Sequence, residues 1–176
     1  MKRLLSTCLG CLIAVFSYAQ QTDSVLQMRD DSLFNVFYYD ADSTKIQLED
    51  KLEYFDYMSG VFIYSLKIEF KGKAASTKLK GIRQLYVEIL DPKILHHHNF
   101  KVGRLKEKKD RRMFTCMKLT PFSRNTHPKS ILELWLKPVS GNVYVFDISA
   151  LSAGHYCVFY QTDGNVLLKF YDFDVE

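Results

Sequence analysis

Hydrophobic and polar residues alternate with a period of two along most of this chain. The pattern is clear in segments 64–70, 85–89 and 132–136, where apolar residues occupy every second position. A β-strand places alternate side chains on opposite faces, so this period predicts strands with one face towards a core. No segment keeps the 3.6-residue period of an amphipathic helix for more than about two turns. The pattern therefore predicts an all-β protein.

Turn-forming residues separate the alternating segments. Ser140-Gly141 and Asp163-Gly164 are two-residue hairpin signals, and Asp91-Pro92 ends a strand. Short strands joined in this way predict a single antiparallel β-sandwich. We expect eight or nine strands among the segments 34–39, 45–49, 61–70, 83–90, 100–106, 111–119, 131–137, 142–148, 155–161 and 165–173.

The N-terminal residues have the pattern of a signal peptide. Lys2 and Arg3 precede an apolar stretch at 4–16, and Ser17-Tyr18-Ala19 places small residues at the −3 and −1 positions of a cleavage site. The stretch is shorter than the about 20 apolar residues that span a membrane. We therefore expect a signal peptide at 1–19, a flexible lead-in at 20–32 and one β-sandwich domain at 33–176. Export would deliver the protein to the periplasm, the cell surface or the medium, with no transmembrane segment after cleavage.

The net charge and the absence of known catalytic motifs argue against two classes of function, nucleic-acid binding and catalysis. The net charge is +4, and Lys2 and Arg3 supply two of these charges, so nucleic acid is not an expected partner of the exported protein. The sequence contains no Gly-x-Ser-x-Gly elbow, no His-Glu-x-x-His motif and no phosphate-binding glycine loop. We therefore predict no cofactor, and a non-catalytic role over an enzymatic one.

Two cysteines remain once the signal peptide is removed. In an oxidising compartment, Cys116 and Cys157 can form a disulfide. The bridge would close a loop of about 40 residues and contribute about 3–4 kcal/mol. The alternative is two separate buried thiols that act as small hydrophobic side chains. The sequence does not decide between a disulfide and two separate thiols.

Two further patterns have a structural and a chemical interpretation. In a strand, His96 and His98 would share a face and supply two ligands to zinc or copper, although a plain polar connection is the more common use of such residues.

The segment 101–112 carries seven basic residues. It predicts either a hairpin with solvated flanks or a patch for anionic envelope polymers or a phosphorylated surface, and the acidic residues Glu107 and Asp110 favour the hairpin.

The aromatic residues offer a third candidate site. Trp135 lies between Leu134 and Leu136, so alternation turns it away from the face that these leucines cover. Tyr144 and Phe146 extend this surface if their strand lies alongside. Such a surface suits an envelope protein or a glycan as partner. The alternative is a tryptophan packed under a loop.

The last third of the chain carries a family-like pattern. Residues 151–158 read Leu-x-x-Gly-x-Tyr-x-apolar. This resembles the penultimate strand of immunoglobulin-like sandwiches, in which the tyrosine, here Tyr156, bonds back to nearby backbone. Together with Tyr39-Asp40, Asp91-Pro92 and the ending Tyr-Asp-Phe-Asp-Val, the motif order resembles an uncharacterised exported β-sandwich family of Gram-negative bacteria. The same tail is similar to sorting domains of type IX secretion, which end in a basic stretch where this chain is acidic.

The resemblance implies an immunoglobulin-like fold and export, and it implies no activity. We therefore expect a binding or structural module of the cell envelope. The alternative function is a small envelope hydrolase or metal-dependent enzyme that uses His96 and His98.

Overall fold

The computed structural model describes residues 33–50, 54–59, 64–91, 99–119, 130–132, 135–162 and 167–176. The described backbone forms thirteen strands and no helix, which confirms the all-β class. The strands are β1 (Phe34–Tyr39), β2 (Lys45–Gln47), β3 (Tyr54–Ser59), β4 (Tyr64–Lys71), β5 (Lys78–Leu79), β6 (Gln84–Ile89), β7 (Phe100–Lys108), β8 (Arg111–Leu119), β9 (Ile131–Leu132), β10 (Lys137–Ser140), β11 (Val143–Asp147), β12 (Gly154–Gln161) and β13 (Leu167–Val175).

The strands form two sheets. The smaller sheet has five strands in the order β10-β11-β6-β1-β2. The larger sheet has eight strands. Seven follow the order β3-β4-β8-β7-β12-β13-β5, and the eighth, β9, pairs with β7. The pairing of β5 with β13 is parallel, whereas the other strand pairs described are antiparallel. The larger sheet is therefore mixed, and the prediction of purely antiparallel sheets was wrong at this edge.

Sequence patterning located most strands but not their number. Eight or nine strands were expected, and several of the thirteen observed have two to four residues, too few to show an alternation. The expected strand at 131–137 is divided. Its first two residues pair with β7 in the larger sheet, whereas Lys137 begins β10 in the smaller one. A chain that passes from one sheet to the other cannot remain a single strand.

The main core lies between the two sheets. The inward residues of β1, β6 and β11 pack against those of β7, β12 and β13 in one cluster. Its largest fully buried side chains include Phe34 and Phe146 from the smaller sheet, and Phe100, Tyr156 and Phe173 from the larger. Each such side chain contributes roughly 1.5–3 kcal/mol when removed from water. This cluster is what holds the two sheets face to face.

A second cluster occupies the other face of the larger sheet. It joins buried residues of β4, β7, β8, β12 and β13: Ile68, Phe70, Leu105, Phe114, Cys116, Cys157, Phe159 and Phe170. Because these strands belong to one sheet, that sheet must curl around the cluster to bury it. Strands β7, β12 and β13 therefore contribute apolar side chains to both clusters, one from each face.

The predicted tyrosine corner is present at the start of β12. The Tyr156 hydroxyl donates a hydrogen bond of 2.8 Å to the carbonyl of Ser152, four residues upstream. Gly154 has a φ of 153°, which side-chain-bearing residues rarely adopt. Glycine therefore lets the chain turn into the strand while the tyrosine ring stays in the core.

Candidate functional site

Trp135 is the most exposed large hydrophobic side chain in the part of the chain that is described, with 69% of its surface accessible. It lies in the connection between β9 and β10, where the chain moves between sheets. Val139 on β10 is 54% exposed, and β10 is an edge strand of the smaller sheet. The structure therefore places two exposed apolar residues on one short segment at a sheet edge.

The edge strand β10 is poorly suited to pairing with another strand. Pro138 has no N–H to donate. The register with β11 shifts between Pro138 and Ser140, which leaves Val139 as an extra residue. Proline and bulges are devices by which natural edge strands avoid adding further strands. A partner at this edge would therefore contact the side chains of Trp135 and Val139 rather than extend the sheet.

Tyr144 and Phe146 do not extend the surface of Trp135, so this part of the predicted site was wrong. Both belong to the core between the sheets, and Phe146 is fully buried. Alternation along β11 places Val143, Val145 and Asp147 on the opposite face. The two aromatic side chains of β11 therefore pack in the core between the sheets and do not form part of an exposed surface.

Neither Cys116 nor Cys157 is in a disulfide, and both are buried. Cys116 on β8 and Cys157 on β12 are separated by β7. Two strand spacings amount to roughly 10 Å between Cα atoms, more than the about 7 Å that a disulfide can bridge. Burial, followed by the nearby carboxylates of Asp172 and Asp50, raises the pKa of Cys157 well above that of an ordinary thiol. The thiols act as apolar side chains of the second cluster.

We expect both thiols to resist modification in the folded protein. Pulse alkylation with iodoacetamide, read by peptide mass spectrometry, should leave Cys116 and Cys157 unlabelled in native buffer and label both in denaturant. Intact mass should be the same with and without reductant for this pair. Equal labelling of Cys157 in the two conditions would show that the thiol is accessible.

The predicted metal ligands His96 and His98 lie outside the described residues, as does His127. Among the residues that are described, no group of three or more His, Cys, Asp or Glu side chains is arranged to hold a metal ion. His155, the one histidine that is described, has its Nδ1 2.6 Å from Asp174 Oδ1. The metal site thus stays a prediction for His96 and His98.

A buried charged network was not expected from the sequence. Arg112 is 2% exposed, and its Nη1 lies 2.7 Å from Asp172 and 3.8 Å from Asp174. The Nη1 contact is off the N–H direction, so it is an ion pair rather than a well-aligned hydrogen bond. Arg112 Nε donates to the carbonyl of Gly72, and Asp174 accepts the N–H of Ala75. The network ties β8 and β13 to the loop that follows β4.

A second buried cation joins the two sheets. Lys169 in β13 is 8% exposed, and its ammonium donates to the Phe34 carbonyl at 2.9 Å and the Tyr171 hydroxyl at 3.3 Å. It is the extra residue of a bulge, with a φ of 48°. It borders a cleft of about 380 Å³, which Asn35, Leu48, Glu49 and other residues also line. Since the contacts described cross from β13 to β1, the lysine has a clear structural role.

Comparison with known proteins does not assign this chain to a family. No protein-family model matches the chain, and no curated protein is significantly similar to it. Within the described ranges there is no helix with the length and apolar character needed to cross a bilayer.

Proposed function

We propose that this protein is an exported, non-catalytic binding module of the cell envelope, with an immunoglobulin-like β-sandwich as its scaffold. The observation that carries the proposal is the 69% exposure of Trp135 beside an edge strand. Tryptophan is enriched among the residues that dominate binding energy in protein interfaces. A large aromatic side chain left in water is therefore a candidate anchor for a partner.

Two features support the scaffold and the compartment. The core between two sheets and the Tyr156 corner are features that immunoglobulin-like domains share. The basic residues, the apolar stretch and the Ser-Tyr-Ala site at 1–19 support export. The partner is an envelope protein or a glycan.

Capture from solubilised envelope tests the proposal. The full chain is expressed in a Gram-negative host, and intact mass is used to ask whether the exported form begins at Gln20. That protein, as wild type, Trp135→Ala and Leu90→Ala, is then immobilised. Leu90 is the matched control because it is another exposed large hydrophobic residue, at 44%, located after β6. Truncation of an anchor residue costs about 2 kcal/mol or more, so Trp135→Ala should weaken binding about 30-fold.

Fluorescence provides a second readout, because Trp135 is the single tryptophan of the chain. Its emission should be quenched by iodide in the free protein and protected when the captured partner is added. The proposal fails if folded wild-type protein captures nothing, or if Trp135→Ala and Leu90→Ala capture the same partner equally well.

A further inference from the structure

The face of β4, β7 and β8 opposite the second core cluster is rich in cations beyond the point where Phe100 and Val102 of β7 enter the main core. In register, Lys108 lies opposite Arg111, and Arg111 lies opposite Lys71. Cross-strand partners share a face of the sheet, and alternation places Lys106 and Arg104 on the same face of β7 as Lys108. All five residues are exposed. We call Lys71, Arg104, Lys106, Lys108 and Arg111 the cationic face.

The acidic residues that interrupt this segment in the sequence do not lie on the cationic face. Glu107 is opposite Arg112, and thus on the other face of the sheet, where it lies 3.7 Å from Lys73. Asp110 is in the turn at the end of the face, 3.6 Å from Arg111. The strand period therefore separates charges that are mixed in sequence.

Among the described side chains of β4, β7 and β8, Glu69 is the one acidic residue on the cationic face. It is 6% exposed and lies beneath Arg111, with 2.7 Å between Oε2 and Nη1. This hydrogen bond, with the charge of Glu69, raises the pKa of Arg111, which stays positive. One row further along β4, Lys67 pairs in register with Asp56 of β3, and we do not include this row in the cationic face.

The geometry of the face suits a repeating anion. Neighbouring strands lie about 4.8 Å apart, and residues two apart on one strand are separated by about 6.8 Å. The five cations therefore form a lattice with spacings shorter than the Debye length of about 8 Å. Like charges at such distances repel one another, and a ligand with several anionic groups would relieve that repulsion.

We propose that the cationic face binds an acidic polysaccharide, a linear polymer that carries carboxylate or sulfate groups on successive sugar units. The face extends over three strands, which is enough for several anionic groups of one chain to bind at once. Because the sheet curls around the second core cluster, this outer face is convex, and a flexible polymer can follow it.

A membrane surface fits the same charge less well. Peripheral segments that bind bilayers insert apolar side chains below the headgroups. The exposed large hydrophobic residues of the described chain are Tyr39, Leu90, Trp135 and Val139, and none of them lies on β4, β7 or β8. Met113, which lies opposite Lys106, is partly buried. The cationic face thus offers charge without an apolar anchor.

The inference goes beyond the proposed function because it concerns a surface on different strands from Trp135. The two are separable by experiment, since Trp135→Ala should leave polysaccharide affinity unchanged. If the experiment on one surface contradicts its proposal, the proposal for the other surface is still tested by its own experiment.

Fluorescence-labelled heparin and alginate oligosaccharides are suitable probes, with neutral dextran as the blank. The full chain is compared with Lys106→Gln/Lys108→Gln and with Lys80→Gln/Lys137→Gln, a control that removes the same charge from exposed lysines elsewhere. A basic side chain near a polyanionic surface contributes roughly fivefold in affinity, so the first variant should bind roughly 25-fold more weakly. The control should bind like wild type, and affinity should fall as salt is raised.

Three results would overturn the proposal. The first is no binding of heparin or alginate by the wild-type protein at low salt. The second is an equal loss of affinity in both double variants, which would show a response to net charge alone. The third is tighter binding to vesicles of phosphatidylglycerol and phosphatidylcholine than to the polysaccharides, lost in the same face variant, which would assign the face to membranes.

Discussion

Replacing Arg112 with methionine should lower the free energy of unfolding by about 3–5 kcal/mol, the range found when one partner of a buried ion pair is removed. The side chains of Arg112 and Asp172 are each 3% exposed. Without the guanidinium, the carboxylates of Asp172 and Asp174 would lie near each other on one buried face with no cation between them. The Gly72 carbonyl would also lose its bond from Arg112 Nε. Urea unfolding, with comparison of midpoint and slope, measures the loss.

The double variant Arg112→Met/Asp172→Leu separates the cost of an unpaired charge from the value of the pair. A buried pair replaced as a whole by apolar residues is often nearly neutral. We therefore expect the double variant to be more stable than Arg112→Met alone, although Asp174 remains. Lys78→Ala, which removes an exposed cation 3.0 Å from Glu176, is the control and should change stability little. A loss in Arg112→Met no larger than in this control would contradict the expectation.

This network also shows where sequence patterning reaches its limit. In 171–174, aromatic residues alternate with acidic ones, and a period-two pattern is ordinarily assigned one exposed, charged face. The interpretation fails because the larger sheet curls, so that both faces of β13 are buried. Lys169, Asp172 and Asp174 then need buried partners, and those partners come from β1 and β8, which are distant in sequence.

The same reasoning explains which site residues were predicted. For Trp135 the pattern predicted a direction away from the leucines of one strand and left open whether a loop would cover it. The residue is 69% exposed and lies in a break between two sheets, not in a continuous strand. Tyr144 and Phe146 were misplaced because alternation tells which residues share a face but not which face meets the core. The basic segment was interpreted as a mixed-charge hairpin, because cross-strand register is not visible in one sequence. Register is what brings Lys71 beside Arg111.

Replacing Gly103 with alanine should destabilise the protein by about 1–3 kcal/mol, the usual cost of overpacking a filled core. Gly103 lies in the middle of β7, where its backbone pairs with Cys157 of β12 and Ile131 of β9. A Cβ at this position would lie 2.6–2.9 Å from three ring atoms of Phe114. The ring has little room to move, because it packs against Phe159 with 5.4 Å between centroids, and Phe159 in turn stacks on Phe170.

A double-mutant cycle with Phe114→Leu tests that cause directly. Leucine removes part of the ring that the new methyl group would contact, so Gly103→Ala should cost less in the Phe114→Leu background than in the wild type, as measured by urea unfolding. Additive losses would show that the absence of a side chain at 103 is not required by Phe114. A coupled result would mean that the glycine is what allows the aromatic row Phe114–Phe159–Phe170 to fill the curled sheet. The curl and the burial of the charged network would then depend on a residue that strand propensity alone disfavours at this position.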